Sequence, residues 1–410
     1  MPDIHVQTGI KLERLKNRMK TMAQIGATDK GGVSRLALTE EDRKARKLFI
    51  QWMQELGLTT RVDDLGNIYG RLEGIDPKAS PVLTGSHLDS VPKGGKFDGT
   101  LGVLAALEAV ETIKEKGIKP LRSIEIVSFT NEEGARFTPQ MLGSGVIAGK
   151  FTKDYVYGRK DAEGLLFKEE LERIGFMGCP ENRITCANSF VELHIEQGPI
   201  LEAEEKSIGV VEGIAGFYWL KLKVSGQSDH SGSTPMNMRK DSLVAASSII
   251  TDIYQWASER KDGLVATVGQ IQAFPGIINA IPGETVFTLD IRHADPEKLE
   301  EAVSEATSII QQSSADVTIT EIGSNPPVRF SKEVTSLIEE SCKDANVSYR
   351  KIISGAGHDA MYMNNITETA MIFVPSTNGK SHCEEEHTAY PDIEKGANVL
   401  YLTLWKLANR

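Results

Sequence analysis

Pro81-Val82-Leu83-Thr84-Gly85-Ser86-His87-Leu88-Asp89-Ser90-Val91, continued by Pro92 to Lys96 and then Phe97-Asp98-Gly99-Thr100, is the stretch whose reading decides the fold. It opens on an apolar run that predicts a buried strand and passes into a loop. His87 and Asp89 are two positions apart, so strand alternation points both side chains to one face. A histidine beside a carboxylate is the pattern of a metal ligand whose spare ring N–H is held by an acid. Gly94, Gly95 and Gly99 allow a tight return that brings Asp98 back towards His87. Taken alone, Asp98 reads equally well as the N-cap of a helix starting near Leu101, and His87-x-Asp89 as a surface hydrogen-bonded pair.

The sequence on either side of this stretch gives it a layered α/β setting. Leu101 to Ile113 is apolar nearly all round, which predicts a buried helix. Arg122 to Thr130 and Ser189 to Ile195 read as central strands, ending in Asn131-Glu132-Glu133-Gly134 and in Glu196-Gln197-Gly198-Pro199. Helices are expected over Ile4 to Ile25 and from Thr39 to about Leu56. Strands alternating with helices predict a mostly parallel sheet covered on both faces, with ligands bound at the strand ends. After about Val211 the pattern changes. Phe217 to Val224 alternates cleanly, Asp241 to Ser258 reads as a helix, and Val265 to Phe274 and Thr285 to Arg292 read as strands. Asp295 to Gln312 is a helix and Asp316 to Ile322 a strand, completing a β-α-β-β-α-β, ferredoxin-like order. The expected division is 1–211 with 328–410 for the first domain and 212–327 for an inserted α+β domain. Ser331 to Asn346, Tyr349 to Ile353, Ala370 to Val374 and a final helix from about Asp392 to Leu407 complete the first domain.

Composition bounds the function. A chain of 410 residues is too long for one ordinary core, so two domains are expected. A net charge of −11 argues against a nucleic-acid partner, whose phosphates it would repel. No apolar run is long enough to span a bilayer, and Met1 to Lys20 lacks the apolar region of a signal peptide, so a cytoplasmic protein is expected. Cys179, Cys186, Cys342 and Cys383 follow no metal or disulfide spacing and read as free thiols, with a Cys179–Cys186 pair left open.

Five residues then stand at strand ends or in loops: His87, Asp98, Glu133, His194 and His387. They offer imidazole and carboxylate donors without thiolate, a set suited to zinc, manganese, cobalt or nickel. Asp98 is placed to bridge two ions, which at a separation of roughly 3.5–4 Å would activate water against an acyl carbon. Adjacent side chains in an extended segment diverge, so Glu133 is able to bind an ion while Glu132 faces the water as general base. Singly, each residue has an ordinary structural role open to it: a solvated loop histidine for His387, a core histidine for His194, and a helix-start acid pair for Glu132-Glu133.

As a set, His87-Leu88-Asp89, Phe97-Asp98-Gly99, Thr130-Asn131-Glu132-Glu133-Gly134, His194-Ile195-Glu196-Gln197-Gly198-Pro199 and His387-Thr388-Ala389 resemble, in order, the M20 metallopeptidase-like amidohydrolases. The Asn-Glu-Glu-Gly form followed by Phe137, with His-Ile-Glu-Gln-Gly-Pro, is similar to the carbamoylase branch: N-carbamoyl-L-amino-acid hydrolases, β-ureidopropionases and allantoate amidohydrolases. The resemblance implies two divalent ions, one on His87, Asp98 and His194, the other on Asp98, Glu133 and His387. It makes Asp89 the residue that orients His87 and Glu132 the base and proton donor. It makes the inserted domain a lid and homodimer contact, carrying His230 and Asn279 as oxyanion or carbonyl contacts and Arg292 as the clamp on a substrate carboxylate. Gln197, Gly357 and His358 are expected pocket residues. The implied reaction is hydrolysis of an N-carbamoyl-L-amino acid. β-Ureidopropionase, allantoate amidohydrolase, aminoacylase or peptidase activity is the alternative, and a dimeric metal-binding scaffold the non-enzymatic one.

Overall fold

The computed structural model describes residues 9–410. The part of the expected first helix over residues 4–8 lies outside them, and the helix itself runs Leu12–Ala23. Two compact units emerge: the chain up to Glu212 joined by Phe330–Arg410, and Gly213–Arg329.

In the first unit one sheet runs in the order Thr59–Val62, Ile68–Leu72, Ile124–Phe129, Val82–His87, Ser189–Ile195, Glu368–Val374 and Ile208–Ile214. Its central pairings are parallel, between Val82–His87 and both Ile124–Phe129 and Ser189–Ile195, and between Ser189–Ile195 and Glu368–Val374. The wings are antiparallel. The central strands are buried throughout, as expected of strands covered on both faces. Parallel pairing places the C-terminal ends of Val82–His87, Ile124–Phe129 and Ser189–Ile195 on one edge, where the polar residues of the sequence collect.

The helix Thr100–Glu115 packs against Val82–His87 and against the final helix Tyr390–Ala408, and its apolar residues from Leu101 to Val110 are fully buried. One residue of that helix breaks the apolar pattern. Glu108 is fully buried, and it is satisfied by Arg14, whose Nε and Nη2 donate at 2.6 and 2.7 Å, and by the Lys11 backbone N–H at 2.8 Å. A buried carboxylate is tolerated when a guanidinium fork meets it in this way, and this pair ties the first helix to the core.

The second unit has an antiparallel sheet in the order Ile271–Phe274, Glu284–His293, Gly216–Ser225 and Asp316–Asn325. Alternate residues Leu220, Leu222, Val224, Phe287, Leu289 and Ile291 meet Ala246, Ile249 and Ile253 of the helix Ser242–Glu259 and Leu299, Ala302 and Ile310 of the helix Pro296–Gln312. Asp241 caps the first of these helices and Asp295 the second, each accepting from two backbone N–H groups. The expected single strand Val265 to Phe274 is broken into Val265–Thr267 and Ile271–Phe274, both paired to Glu284–His293. The stretch between Phe137 and Asn188 forms three short α-helices, Leu142–Ile147, Lys153–Tyr157 and Phe167–Arg173, and a 3-10 turn, Pro180–Asn182. Cys179 and Cys186 are exposed free thiols, and among the described residues no helix is long and apolar enough to cross a membrane.

Removing the buried acid tests the role of the Arg14–Glu108 pair. Glu108→Ala removes the buried acceptor of the Arg14 fork and the Lys11 N–H, while Arg14 keeps Glu111 and Glu115, and lowers stability by about 2 kcal/mol, read as a lower urea midpoint; Glu108→Gln loses less, because it keeps an acceptor for the Lys11 N–H.

Candidate active site

The site is assembled from strand ends that parallel pairing has already brought side by side. His87 ends Val82–His87, His194 lies next to last in Ser189–Ile195, and Glu132 and Glu133 follow Ile124–Phe129 after a short turn. Asp98 reaches them from the loop before the helix Thr100–Glu115. Gly99 makes that approach possible: its φ is +59°, and a Cβ there would fall on the His87 ring.

Asp98 is the hub. Its Oδ1 lies 3.5 Å from His87 Nε2 and 3.2 Å from His194 Nε2. Its Oδ2 accepts from Gln197 Nε2 at 2.7 Å and Ser381 Oγ at 3.0 Å, and lies 3.5 Å from His382 Nε2. His382 Nε2 is 3.3 Å from Glu133 Oε2, and Glu132 Oε2 is 3.6 Å from His87 Nε2. Two donor groups therefore share one carboxylate: His87, Asp98 and His194 on one side, and Asp98, Glu133 and His382 on the other. His87 Nδ1 lies 2.9 Å from the Asp89 carbonyl, and His194 Nδ1 lies 3.0 Å from the Ile195 carbonyl. A carbonyl only accepts, so each Nδ1 carries a proton and Nε2 is the ring atom left to face Asp98.

The donor set fits divalent cations. The buried oxygens Glu133 Oε1 and Gln197 Oε1 have no hydrogen-bond partner. Burial pushes the Glu132 carboxyl well above the usual range against the pull of His87, and Asp359, Glu133 and Asp89 push it further. Burial and then Asp98 do the same to Glu133. Burial pulls His87 down, but Glu132, Asp98 and Asp89 outweigh it and hold the ring well above the ordinary histidine range. The cluster carries more negative charge than its own groups neutralise, so it takes up protons, and cations could replace those protons. Oxygen and imidazole donors without thiolate suit the metals expected from sequence. Asn131, Gln197 and His382, each in or beside the cluster, all have φ near +57°, at 58°, 56° and 56°. Such conformations persist only where the surroundings over-determine them, and they gather at functional sites.

Two expectations need correction. His387 is not part of the cluster. It is exposed, with Nδ1 3.2 Å from Thr377 Oγ1 and its ring edge-on to Phe97. The position expected for it is held by His382, itself exposed, whose Nε2 lies 3.5 Å from Asp98 Oδ2 and 3.3 Å from Glu133 Oε2. Asp89 does not orient His87 with its carboxylate. Its backbone carbonyl does so, while its two carboxylate oxygens each lie 3.3 Å from a backbone N–H, those of Glu132 and Glu133. The strand ends at His87, so alternation no longer governs the direction of the Asp89 side chain.

Of the remaining expected residues, Gln197 is bound into the Asp98 network, and Gly357 sits against Gln140 and Met141. His358 is buried at 2 % exposure, tilted against His194 at 4.5 Å and hydrogen-bonded through Nε2 to Ser354 Oγ. Burial, with His194 beside it, holds its ring well below the ordinary histidine range, so it backs His194 as a neutral group. In the second unit, a short antiparallel ribbon pairs His230 with Ala280 and brings Asn279 beside it. His230 Nδ1 accepts the Gly232 and Ser233 N–H groups at 3.1 and 3.2 Å, so the proton of the neutral ring is on the exposed Nε2. Arg292 forks onto Asp290, with Nη2 2.8 Å from Oδ2, and lies over the Phe217 ring.

Sequence reasoning missed Glu192 and Glu386. Glu192 is fully buried beside His194 and accepts from Ser86 Oγ at 2.6 Å; a carboxylate in the middle of an otherwise apolar strand was the available signal. Glu386, pushed up to about 7 by burial and by Asp98, holds the backbone of the Asp98 loop.

The chain as a whole is similar to known amidohydrolases. The chain is 42 % identical over 396 residues to an N-carbamoyl-L-amino-acid amidohydrolase of Rhizobium meliloti, covering 96 % of this chain and 95 % of that protein. It is 36 % identical over 402 residues to an allantoate amidohydrolase of Escherichia coli K12, covering 97 % and 98 %. The crystal structure of a hydantoinase/carbamoylase-family amidase from Burkholderia multivorans is similar at a TM-score of 0.92 and 41 % identity, covering 98 % of this chain and 99 % of that one. The model of peptidase family M20/M25/M40 matches residues 83–406, a span that takes in the strand ends and the loop carrying the cluster, and the chain belongs to that family.

Proposed function

We propose that the protein is a metal-dependent amidohydrolase that hydrolyses the ureido C–N bond of N-carbamoyl-L-amino acids, releasing the L-amino acid, ammonia and carbon dioxide. The observation that carries the chemistry is Asp98, with one oxygen towards His87 and His194 and the other towards His382. The similarity to the Rhizobium meliloti enzyme over nearly the whole chain supports the substrate class.

His87, Asp98 and His194 would hold one divalent cation, and Asp98, Glu133 and His382 a second, with manganese, cobalt, nickel or zinc as the candidates. When bound, such ions polarise the scissile carbonyl and make a water acidic enough to attack near neutral pH. Glu132 then takes the proton from the attacking water and delivers it to the leaving nitrogen, a role suited to a buried carboxyl whose proton affinity is raised. His230 would donate its Nε2–H, and Asn279 its amide, to the oxygen that becomes negative. Arg292 would exchange its Asp290 partner for the substrate carboxylate, two planar forks of the same geometry. The second unit, in this reading, serves as lid and homodimer contact around a small carboxylate-bearing substrate, in a cytoplasmic enzyme.

Allantoate and N-carbamoyl-β-alanine would draw on the same ions and base, and the Escherichia coli relative makes allantoate the second reading. Ammonia release from N-carbamoyl-L-methionine, N-carbamoyl-β-alanine and allantoate, measured side by side on manganese-loaded protein, decides between them. The first is expected to be turned over with the highest kcat/KM, and a clear preference for allantoate would overturn the substrate assignment. Glu132→Gln is expected to keep its metal and lose at least about 100-fold in kcat; full turnover would exclude Glu132 as the base. Metal analysis after dialysis is expected to find His382→Ala one ion poorer than the unaltered protein and His387→Ala unchanged.

A further inference from the structure

Glu386 belongs to none of the donor groups, yet it joins the two loops that carry Asp98 and His382. It is 3 % exposed. Its Oε1 accepts the backbone N–H of Phe97 at 3.0 Å and of Asp98 at 3.1 Å, residues almost 290 positions earlier in the chain. Its Oε2 accepts from Ser381 Oγ at 3.1 Å, closing the short loop that contains His382. Gly95 is packed so tightly beneath it that a Cβ there would occupy the space of the Glu386 carboxylate. One side chain thus fixes the backbone of Asp98 and the residue next to His382.

Ser381 makes the link chemical as well as geometric. Its hydroxyl lies 3.0 Å from Asp98 Oδ2 and 3.1 Å from Glu386 Oε2. One hydroxyl proton serves two carboxylate acceptors, so it satisfies only one at a time. A cation drawing on Asp98 Oδ2 would weaken that oxygen as an acceptor and release the proton to Glu386, tightening the clamp as the position fills. His382, held at a φ of 56°, needs a rigid frame to keep Nε2 within reach of Glu133 and Asp98. Comparable contacts at the other donor group are made differently: His87 and His194 lie in or at the end of central strands, and their rings are set by local carbonyls.

We infer that Glu386 is a positioning residue that holds His382 against Asp98 and thereby sets cation affinity chiefly at the Asp98–Glu133–His382 position; the His87–Asp98–His194 position, which shares Asp98 but has both its rings set by local carbonyls, is affected less. The inference rests on the proposed reading of the cluster as a two-cation site. It is tested by calorimetric titration of the metal-free full-length protein with manganese chloride, alongside thermal unfolding of the same metal-free samples. The unaltered protein is expected to bind two ions in resolvable steps. Glu386→Ala is expected to weaken one step at least tenfold and the other several-fold less, through the shared Asp98. Glu386→Gln, which keeps an acceptor for the Phe97 and Asp98 N–H groups, is expected to recover most of the loss. Gly95→Ala, which displaces the carboxylate while leaving Glu386 in the chain, is expected to reproduce the alanine phenotype even if Glu386→Ala does not fold. Equal weakening of both steps with a lowered unfolding midpoint would make Glu386 a general structural residue and overturn the inference, as would unchanged affinities in Glu386→Ala and Gly95→Ala. An unaltered protein that binds fewer than two ions would instead remove the two-cation reading, and the inference with it.

Discussion

The Asp98 carboxylate, shared between two sets of ring nitrogens, is the constraint on which the rest of the first unit depends. To place its two oxygens towards opposite donor groups, the chain must bring four segments to one sheet edge and hold a loop in a conformation only glycine adopts easily. Parallel pairing of Val82–His87 with Ser189–Ile195 supplies the histidines. The buried helix Thr100–Glu115 supplies the platform from which Asp98 projects, and its packing on Val82–His87 keeps that platform still.

Gathering this much negative charge out of water is unfavourable, and the structure meets the cost in a particular way. Asp89, Glu132, Glu133, Glu192 and Asp359 are buried around two histidines, and burial raises the proton affinity of each acid. Backbone N–H groups and hydroxyls take up part of the charge: those of Glu132 and Glu133 on Asp89, of Ala360 on Glu192, and the Ser144 hydroxyl on Asp359. What remains is an electrostatic deficit that cations would relieve, and their binding would change the protonation of Glu132, the group proposed to move the proton.

The second unit follows a different physical logic. Its antiparallel sheet leaves one face to the helices, and His230 lies in a separate two-stranded ribbon. Two backbone N–H groups, those of Gly232 and Ser233, donate to His230 Nδ1, so the ring proton is on Nε2. The planar guanidinium of Arg292 meets the Asp290 carboxylate through both Nε and Nη2.

Much of this was legible in the chain. Apolar runs and their periods determined the central strands, the buried helix and the alternating sheet of the second unit, because burial on both faces, on one stripe or on one face each leaves its own pattern. Spacing also pointed to His87, Asp98, Glu132, Glu133 and His194, since each lies at the end of a strand, shortly after one or shortly before a helix. Tertiary structure alone decided His382 over His387, the carbonyl of Asp89 over its carboxylate, and the clamp made by Glu386. Each of these depends on a loop: a left-handed residue, a turn just past a strand end, or a hydrogen bond to backbone almost 290 residues away. Loop direction is fixed by what the loop packs against, and no local period in the sequence records that.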